Sequence, residues 1–142
     1  MDQFIEFIKN HWELWAALIV ILGILSFEEI KRHKHGGTSL APAEMTAVMN
    51  HEETVVIDVR PHAAFQKGHI LNAVNIQKAD FTLEKIARYK NQTIIIVDEN
   101  GLDAVGISAK IKKENKDSTQ KVCTLNGGIN AWCSANLPLV KK

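Results

Sequence analysis

The sequence predicts an α/β domain, a parallel sheet with helices on both faces, preceded by one transmembrane helix. Three observations support this fold class. Residues 14–27 form an apolar run without a charge. After residue 39, short runs rich in β-branched residues alternate with segments of helical spacing. The whole chain has 142 residues, of which 46% are hydrophobic and 23% charged, which is normal for a globular domain with a modest core.

The apolar run, LWAALIVILGILSF, predicts a membrane anchor over residues 1–30. Its nine Leu, Ile, Val and Phe residues contribute about −3 to −5 kcal/mol toward membrane insertion. The run is shorter than the roughly 20 residues that a bilayer requires. Trp12 and Trp15 stand where an interfacial aromatic belt lies, and four upstream residues extend the apolar surface: Phe4, Ile5, Phe7 and Ile8.

The flanking charges favour a retained anchor over a cleaved signal peptide. Asp2 and Glu6 precede the run, and no cleavage site of small residues follows it. Lys9 is the only Lys or Arg before the run, whereas Lys31, Arg32 and Lys34 follow it. The positive-inside rule therefore places the carboxyl-terminal domain in the cytoplasm.

Residues 31–38, KRHKHGGT, are expected to form a mobile basic linker to a domain over residues 39–142. His33 and His35 form a solvated basic collar in this interpretation, because two histidines without a third ligand make a poor metal site. Cys123 and Cys133 are ten residues apart, which fits neither a CxxC pair nor a zinc ligand set. We expect no metal and no cofactor.

Composition also argues against a nucleic acid partner. The formal net charge is +1. No face rich in Lys and Arg is interleaved with exposed aromatic residues.

The domain elements follow from changes of apolar spacing. In chain order the sequence predicts a helix over Pro42–Met49, a strand over Thr54–Val59, a turn or helix through Phe65, a strand over Ala73–Ile76, a helix over Phe81–Tyr89, a strand over Ile94–Val97, a helix from Leu102, a strand over Val122–Leu125 and a final helix that contains Trp132. In the helix from Leu102, the predicted apolar positions are Leu102, Val105, Ile107 and Ile111.

The junction between the strand ending at Val97 and the helix from Leu102 is the predicted functional site. Such a junction directs backbone N–H groups and the positive end of a helix dipole beyond the strand, where open parallel sheets place their sites. The loop offers carboxylates, Asp98, Glu99 and Asp103, and contains no Cys, Ser or His.

Four motifs in order and spacing resemble the rhodanese family, the single-domain sulfurtransferase fold. They are Val56-Ile57-Asp58-Val59-Arg60, Gly68-His69-Ile70 with Ala73-Val74-Asn75, the junction just described, and Leu125-Asn126-Gly127-Gly128-Ile129-Asn130-Ala131-Trp132 with Leu137-Pro138. The resemblance covers residues 39–138. One span followed by one such domain resembles membrane-anchored rhodanese-like proteins of bacteria, which implies a single-pass inner-membrane protein.

The resemblance implies a loop of Cys-x-x-Gly-x-Arg type, in which a persulfide forms on the Cys. The remnant active-site loop here reads Asp98, Glu99, Asn100, Gly101, Leu102 and Asp103. Gly101 is kept, Asp98 holds the Cys position and Asp103 holds the Arg position. A carboxylate has no sulfur to accept a sulfane atom. Each close carboxylate also repels an anionic donor by roughly 1 kcal/mol.

Asp58, Arg60, Gly68 and His69 form the supporting motif that the resemblance implies. Asp58 and Arg60 are either substrate ligands or an internal ion pair, and the ion pair is favoured. His69 is either a general base or a residue that links loops, and the second is favoured. Two other interpretations of the acidic loop are a divalent cation site and a phosphoryl group on Asp98. Both are disfavoured, because the loop lacks the partner groups that such chemistry needs.

A relocated nucleophile would restore enzyme activity. Cys123 lies in an apolar strand, where a thiol behaves as a small hydrophobe. Cys133 follows Trp132 on the last helix, outside the loop.

The leading hypothesis is a catalytically degenerate rhodanese-like domain that serves as a binding or regulatory module for a membrane or membrane-associated protein. The alternative hypotheses are a sulfurtransferase acting through Cys133 or Cys123, an unusual reaction at Asp98, and a helix that mediates membrane assembly through Gly23.

Overall fold

The computed structural model describes residues 11–35, 38–116 and 119–141, the first range with side chains as far as residue 27. These residues form two compact units that divide after His35.

The amino-terminal unit is a helix, α1 (Trp12–His35), of 24 residues. Its side chains from Leu18 to Leu22 are all exposed. Because successive helical residues turn by about 100°, five consecutive apolar residues cover the full circumference. Residues 31–35, assigned to a linker in the sequence analysis, belong to this helix.

Among the described residues, no helix is both long enough and apolar enough to cross a membrane. The uncharged run between Glu13 and Glu28 has 14 residues. At 1.5 Å per residue it rises about 21 Å, against a hydrocarbon core of about 30 Å. The four upstream residues that were predicted to lengthen the run lie outside the described residues: Phe4, Ile5, Phe7 and Ile8.

The second unit is built on five parallel strands in the order β1-β5-β4-β2-β3. The strands are β1 (Thr38–Leu40), β2 (Thr54–Asp58), β3 (Val74–Asn75), β4 (Thr93–Val97) and β5 (Val122–Leu125). Strand β1 pairs with β5, with Thr38 opposite Cys123. The sequence analysis predicts no strand at β1, because its three residues carry no apolar run.

The connections are helical. They comprise α2 (Pro42–His51), α3 (His62–Lys67), a 3₁₀ turn (Lys78–Asp80), α4 (Leu83–Ala87), α5 (Leu102–Glu114) and α6 (Gly128–Ser134). Helix α4 lies within the helix predicted over Phe81–Tyr89 and is shorter at both ends, and the 3₁₀ turn precedes that range. Helix α2 starts at Pro42, and the Glu44 carboxylate accepts the N–H of Ala41 at 2.8 Å.

Two apolar clusters cover the two faces of the sheet, as expected for a parallel sheet with helices on both faces. One cluster contains Ile57, Ile94 and Ile96 with residues of α4 and α5. The other contains Ile95 and Leu125 with residues of α2 and α6. The α/β fold class predicted from the sequence is therefore confirmed.

Helix α5 corrects one detail of that prediction. It buries Ala104, Ile107, Ser108 and Ile111, whereas Leu102 is 75% exposed and Val105 is 40% exposed. The buried residues follow the i, i+3, i+4, i+7 spacing of one helical face. The sequence analysis placed Leu102 and Val105 among the apolar positions of the helix because both are apolar. In the structure, the small residues Ala104 and Ser108 complete the buried face instead.

Candidate functional site

The candidate site lies at the carboxyl edge of the sheet, where parallel strands bring their last residues together. Asp58 ends β2 and pairs in register with Val97 of β4. The loop from Asp98 to Gly101 then leads from β4 into α5. The edge of the sheet therefore brings the loop next to Asp58, the first residue of the supporting motif that the sequence analysis singled out.

The carboxylate of Asp98 is buried and caps the start of α5. Its Oδ1 atom accepts the backbone N–H of Gly101 at 2.7 Å, and its Oδ2 atom accepts the backbone N–H of Asp103 at 2.9 Å. Only 3% of the residue is exposed. The first amides of a helix have no partner within the helix and attract anions. Here a side chain of the same loop supplies the anion.

Two glycines allow the loop to take this shape. Gly101 has a φ of 90°, and a Cβ there would lie 2.9 Å from the backbone nitrogen of Gly127. A Cβ on Gly128 would lie 2.5 Å from the carbonyl oxygen of Asp98. The start of α6 is thus pressed against the loop, and Ile129 N–H donates to the Asp98 carbonyl at 2.9 Å.

Asp58 and Arg60 form a buried ion pair below the loop. The Arg60 Nη2 atom lies 2.7 Å from Asp58 Oδ2, and Arg60 Nε lies 3.0 Å from Asp58 Oδ1. Arg60 Nη2 also donates to the carbonyl oxygen of Gly68 at 2.8 Å. Burial lowers the pKa of Arg60, but the hydrogen bond and charge of Asp58, with the charge of Glu99, outweigh it and raise that pKa overall. The guanidinium therefore stays charged and ties the β2 end to Gly68.

Glu99 extends this ion pair to the surface. Its Oε2 atom lies 3.5 Å from Arg60 Nη1, and 59% of its side chain is exposed. Asn100, also exposed, accepts the N–H of Leu102 at 3.2 Å through Oδ1.

Two further polar residues hold the site, and the sequence analysis gave neither of them a role. Asn75 Nδ2 donates to the carbonyl oxygens of Asp58 and Arg60, at 3.0 and 2.9 Å. Lys78 Nζ lies 2.6 Å from Asp103 Oδ1. The Ala-Val-Asn motif at the end of β3 could have indicated Asn75. Lys78 follows from no sequence signal, because it is 25 residues from its partner.

His69 is buried and stacks on Phe65, with ring centroids 3.8 Å apart. Its Nδ1 atom is 2.9 Å from the Phe65 carbonyl oxygen, and its backbone pairs with Val140. These contacts connect α3 to the carboxyl-terminal segment.

Neither cysteine belongs to the loop between β4 and α5. Cys123 lies in the middle of β5 and is fully buried, and burial raises the pKa of its thiol. Cys133 is exposed on α6. Within the described residues, no group of three or more His, Cys, Asp or Glu side chains is placed to hold a metal ion.

The arrangement therefore consists of an anion-binding helix start that is filled by Asp98, with two carboxylates, Glu99 and Asp103, above it. Each of those two is held by a cation, Arg60 or Lys78. The loop between β4 and α5 contains no thiol, hydroxyl or imidazole. None of its side chains can carry a sulfane sulfur as a thiolate does.

Comparison with known proteins gives the family. The model of the rhodanese-like domain family matches residues 41–135. The uncharacterized protein YibN of Escherichia coli K12 is 26% identical over 147 aligned residues, which cover 99% of each chain. The thiosulfate sulfurtransferase GlpE of Pseudoalteromonas translucida is 25% identical over 93 residues, covering 66% of this chain and 86% of that protein.

Solved structures show the same fold. A rhodanese-related protein from Thermoplasma volcanium has a TM-score of 0.60 at 21% identity and covers 74% of this chain and 99% of its own. The BH2092 protein from Bacillus halodurans has a TM-score of 0.62 at 19% identity, covering 84% of this chain and 86% of its own. Because the family model matches residues 41–135, about two thirds of the chain, the chain belongs to the rhodanese-like domain family.

Proposed function

We propose that this protein is a catalytically degenerate rhodanese-like domain, tethered at the bacterial inner membrane by its amino-terminal segment with the domain in the cytoplasm. In this role it acts as a binding or regulatory module for another membrane or membrane-associated protein.

The observation that carries the proposal is the position of the Asp98 carboxylate. Its two oxygens accept the amides of Gly101 and Asp103, 2.7 and 2.9 Å away. The family resemblance assigns the persulfide-forming Cys to position 98. A carboxylate satisfies the helix amides as a thiolate would, but it cannot take up a sulfane sulfur. The scaffold is kept and the sulfur chemistry at this loop is lost.

The charges above the loop support the same conclusion. Glu99 and Asp103 are 59% and 53% exposed at their side chains. Each carboxylate is paired with a cation, Arg60 or Lys78, so these pairs offer an anionic donor such as thiosulfate little net attraction. A partner protein can instead use exposed carboxylates and cations for recognition.

The amino-terminal helix supports membrane attachment. Large apolar side chains cover it on every side, with exposed fractions from 39% to 67% between Trp12 and Phe27. A helix that docks in one protein groove carries a single apolar stripe, whereas a helix in lipid is apolar all round. Since the uncharged run within α1 rises only about 21 Å, less than a bilayer core of about 30 Å, the proposal also relies on the apolar residues in the sequence before it.

The test is intact-mass spectrometry of the full chain in detergent after exposure to thiosulfate and, separately, to a small-molecule persulfide. The variants are Asp98→Cys and, as the matched control, Asp98→Asn, which keeps an acceptor of similar shape and adds no thiol. We expect the wild type and Asp98→Asn to remain unmodified and Asp98→Cys to gain a sulfur atom.

Sulfur gained by the wild-type chain would overturn the proposal. Peptide mapping would then assign the sulfur to Cys133 or Cys123. Repeating the reaction with Cys133→Ser would show which of these thiols carries it.

A further inference from the structure

Gly106 occupies an unusual position in α5. It lies in the helix interior, its φ is not positive, and a Cβ placed on it would meet no atom within 4 Å. Glycine destabilises a helix interior relative to alanine because it gives up more backbone freedom. Neither the backbone conformation nor packing among the described residues requires glycine here.

Gly106 lines an open groove between α5 and the 3₁₀ turn. The groove has a volume of about 300 Å³, at the lower end of the range for ligand pockets. Its apolar lining comes from Phe81, Leu102 and Ile107. A side chain at position 106 would occupy space that glycine leaves open.

The side chains that line the groove carry one more positive charge than negative charge. Lys78, Asp103 and Lys110 contribute to the lining. Lys78 is paired with Asp103 at 2.6 Å. Lys110 is exposed, and among the described residues it has no ion pair. An apolar floor beside an uncompensated cation is complementary to an apolar side chain next to a carboxylate.

We propose that this groove docks an acidic segment of the partner protein, with one large apolar side chain above Gly106 and a neighbouring carboxylate at Lys110. The inference rests on the proposed binding function and names the chemistry that the partner presents. A protein segment fits better than a lipid headgroup, because the described residues that line the groove offer an apolar surface and one cation without an ion pair, Lys110, in place of a cluster of phosphate-binding groups. Leu102 is 75% exposed in the free protein and is covered when the segment binds.

The experiment selects binders from a random peptide library displayed on phage, against the full-length chain in detergent micelles. Selection is repeated with Gly106→Gln, which fills the groove with a good helix former, and with Lys110→Glu. The matched controls are Val105→Gln and Lys113→Glu, exposed positions of the same helix outside the groove. Circular dichroism establishes that each variant is folded.

With the wild type we expect enrichment of peptides that pair a large apolar residue with Asp or Glu. Gly106→Gln lowers binding of these peptides by about tenfold or more, and Lys110→Glu shifts the selected peptides toward Lys and Arg, since an attractive charge pair becomes repulsive. Both controls retain the wild-type preference.

Two results would overturn the proposal that the groove docks an acidic segment: selected peptides that lack acidic residues, or peptides that bind Gly106→Gln and Lys110→Glu as well as they bind the wild type. Either result would leave the proposed function standing. Sulfur gained by the wild-type chain in the mass measurement would overturn the proposed function. The two failures are therefore distinguishable.

Discussion

The Oδ2 atom of Asp98 lies 2.9 Å from the backbone nitrogen of Asp103, in the first turn of α5. This contact joins two loop residues through a helix amide that has no partner within the helix. Asp98 is therefore a structural cap as well as the residue at the centre of the proposed loss of activity. Its replacement tests both roles, because a stability change and a gain of sulfur are measured separately.

Asp98→Ala is expected to destabilise the protein by about 2–4 kcal/mol, since it removes two charge-assisted hydrogen bonds and leaves buried amides without acceptors. Asp98→Asn keeps one acceptor oxygen and should lose less. Urea unfolding followed by circular dichroism measures both. A loss below about 0.5 kcal/mol for Asp98→Ala would show that the cap contributes little.

Removing one partner of the buried Asp58–Arg60 pair should be costly. Arg60→Met leaves the Asp58 carboxylate buried without its cation, and we expect a loss of about 3–5 kcal/mol. The double variant Asp58→Asn, Arg60→Met should lose less than the sum of the two single variants, because neither charge is then left alone. Urea unfolding of the three variants gives the coupling. Lys78→Met, which breaks an exposed pair, is the control and should cost at most about 1 kcal/mol. Equal losses at both sites would contradict this account.

Thr124 is fully buried in β5, and its hydroxyl is, among the described residues, the one buried side-chain polar atom without a hydrogen-bond partner. Thr124→Val removes that hydroxyl and keeps the shape, so we expect it to stabilise the protein by about 1 kcal/mol. The matched control is Thr93→Val, because the Thr93 hydroxyl donates to Glu52 at 2.8 Å and its loss should destabilise. Thermal unfolding distinguishes the two. A lower unfolding midpoint for Thr124→Val than for the wild type would count against an unpaired Thr124 hydroxyl.

Glu52, at the edge of the sheet opposite the candidate site, should make the stability of the fold depend on pH. Hydrogen bonds from Lys121 and Thr93 hold the pKa of Glu52 below its ordinary value of 4.5. A lowered pKa stabilises the folded state above the unfolded pKa, and this contribution disappears as the pH falls through the folded value. Wild type and Glu52→Gln should therefore differ in midpoint at pH 7, and the difference should shrink as the pH falls below 4.5. A difference that does not change with decreasing pH would not come from ionisation.

The proposed attachment through α1 predicts that the protein is found in the membrane fraction of the cell. Ile21→Lys with Leu22→Lys places two charges in the middle of the apolar run, at a cost of about 2.5–3.5 kcal/mol each at a bilayer centre. We expect these changes to move the protein from the membrane fraction to the supernatant after an alkaline wash. Leu71→Lys alters a residue that is 60% exposed in the domain and should leave the distribution unchanged. Retention of the double variant in the membrane would argue against attachment through α1.

Local patterns in the chain were sufficient to predict the domain fold. Strand β5 spans the predicted residues Val122–Leu125, and β4 differs by one residue at its start, because β-branched runs buried on both faces are easily recognised. Strand β1 was missed, because its formation depends on pairing with β5, which is distant in sequence and which local spacing does not encode. The helix predicted over Phe81–Tyr89 is present as α4, shortened to Leu83–Ala87.

The sequence by itself determined the alternation of strands and helices, the apolar amino-terminal run, and a loop that has carboxylates and no Cys, Ser or His. Tertiary structure decided what those carboxylates do. Asp98 turns inward to the helix amides, Glu99 reaches Arg60 of another strand end, and Asp103 pairs with Lys78. The groove beside Gly106 likewise exists only where α5 meets the 3₁₀ turn. The physical reason is that parallel strands bring distant loops to one edge, so the partner of each side chain is set by the fold.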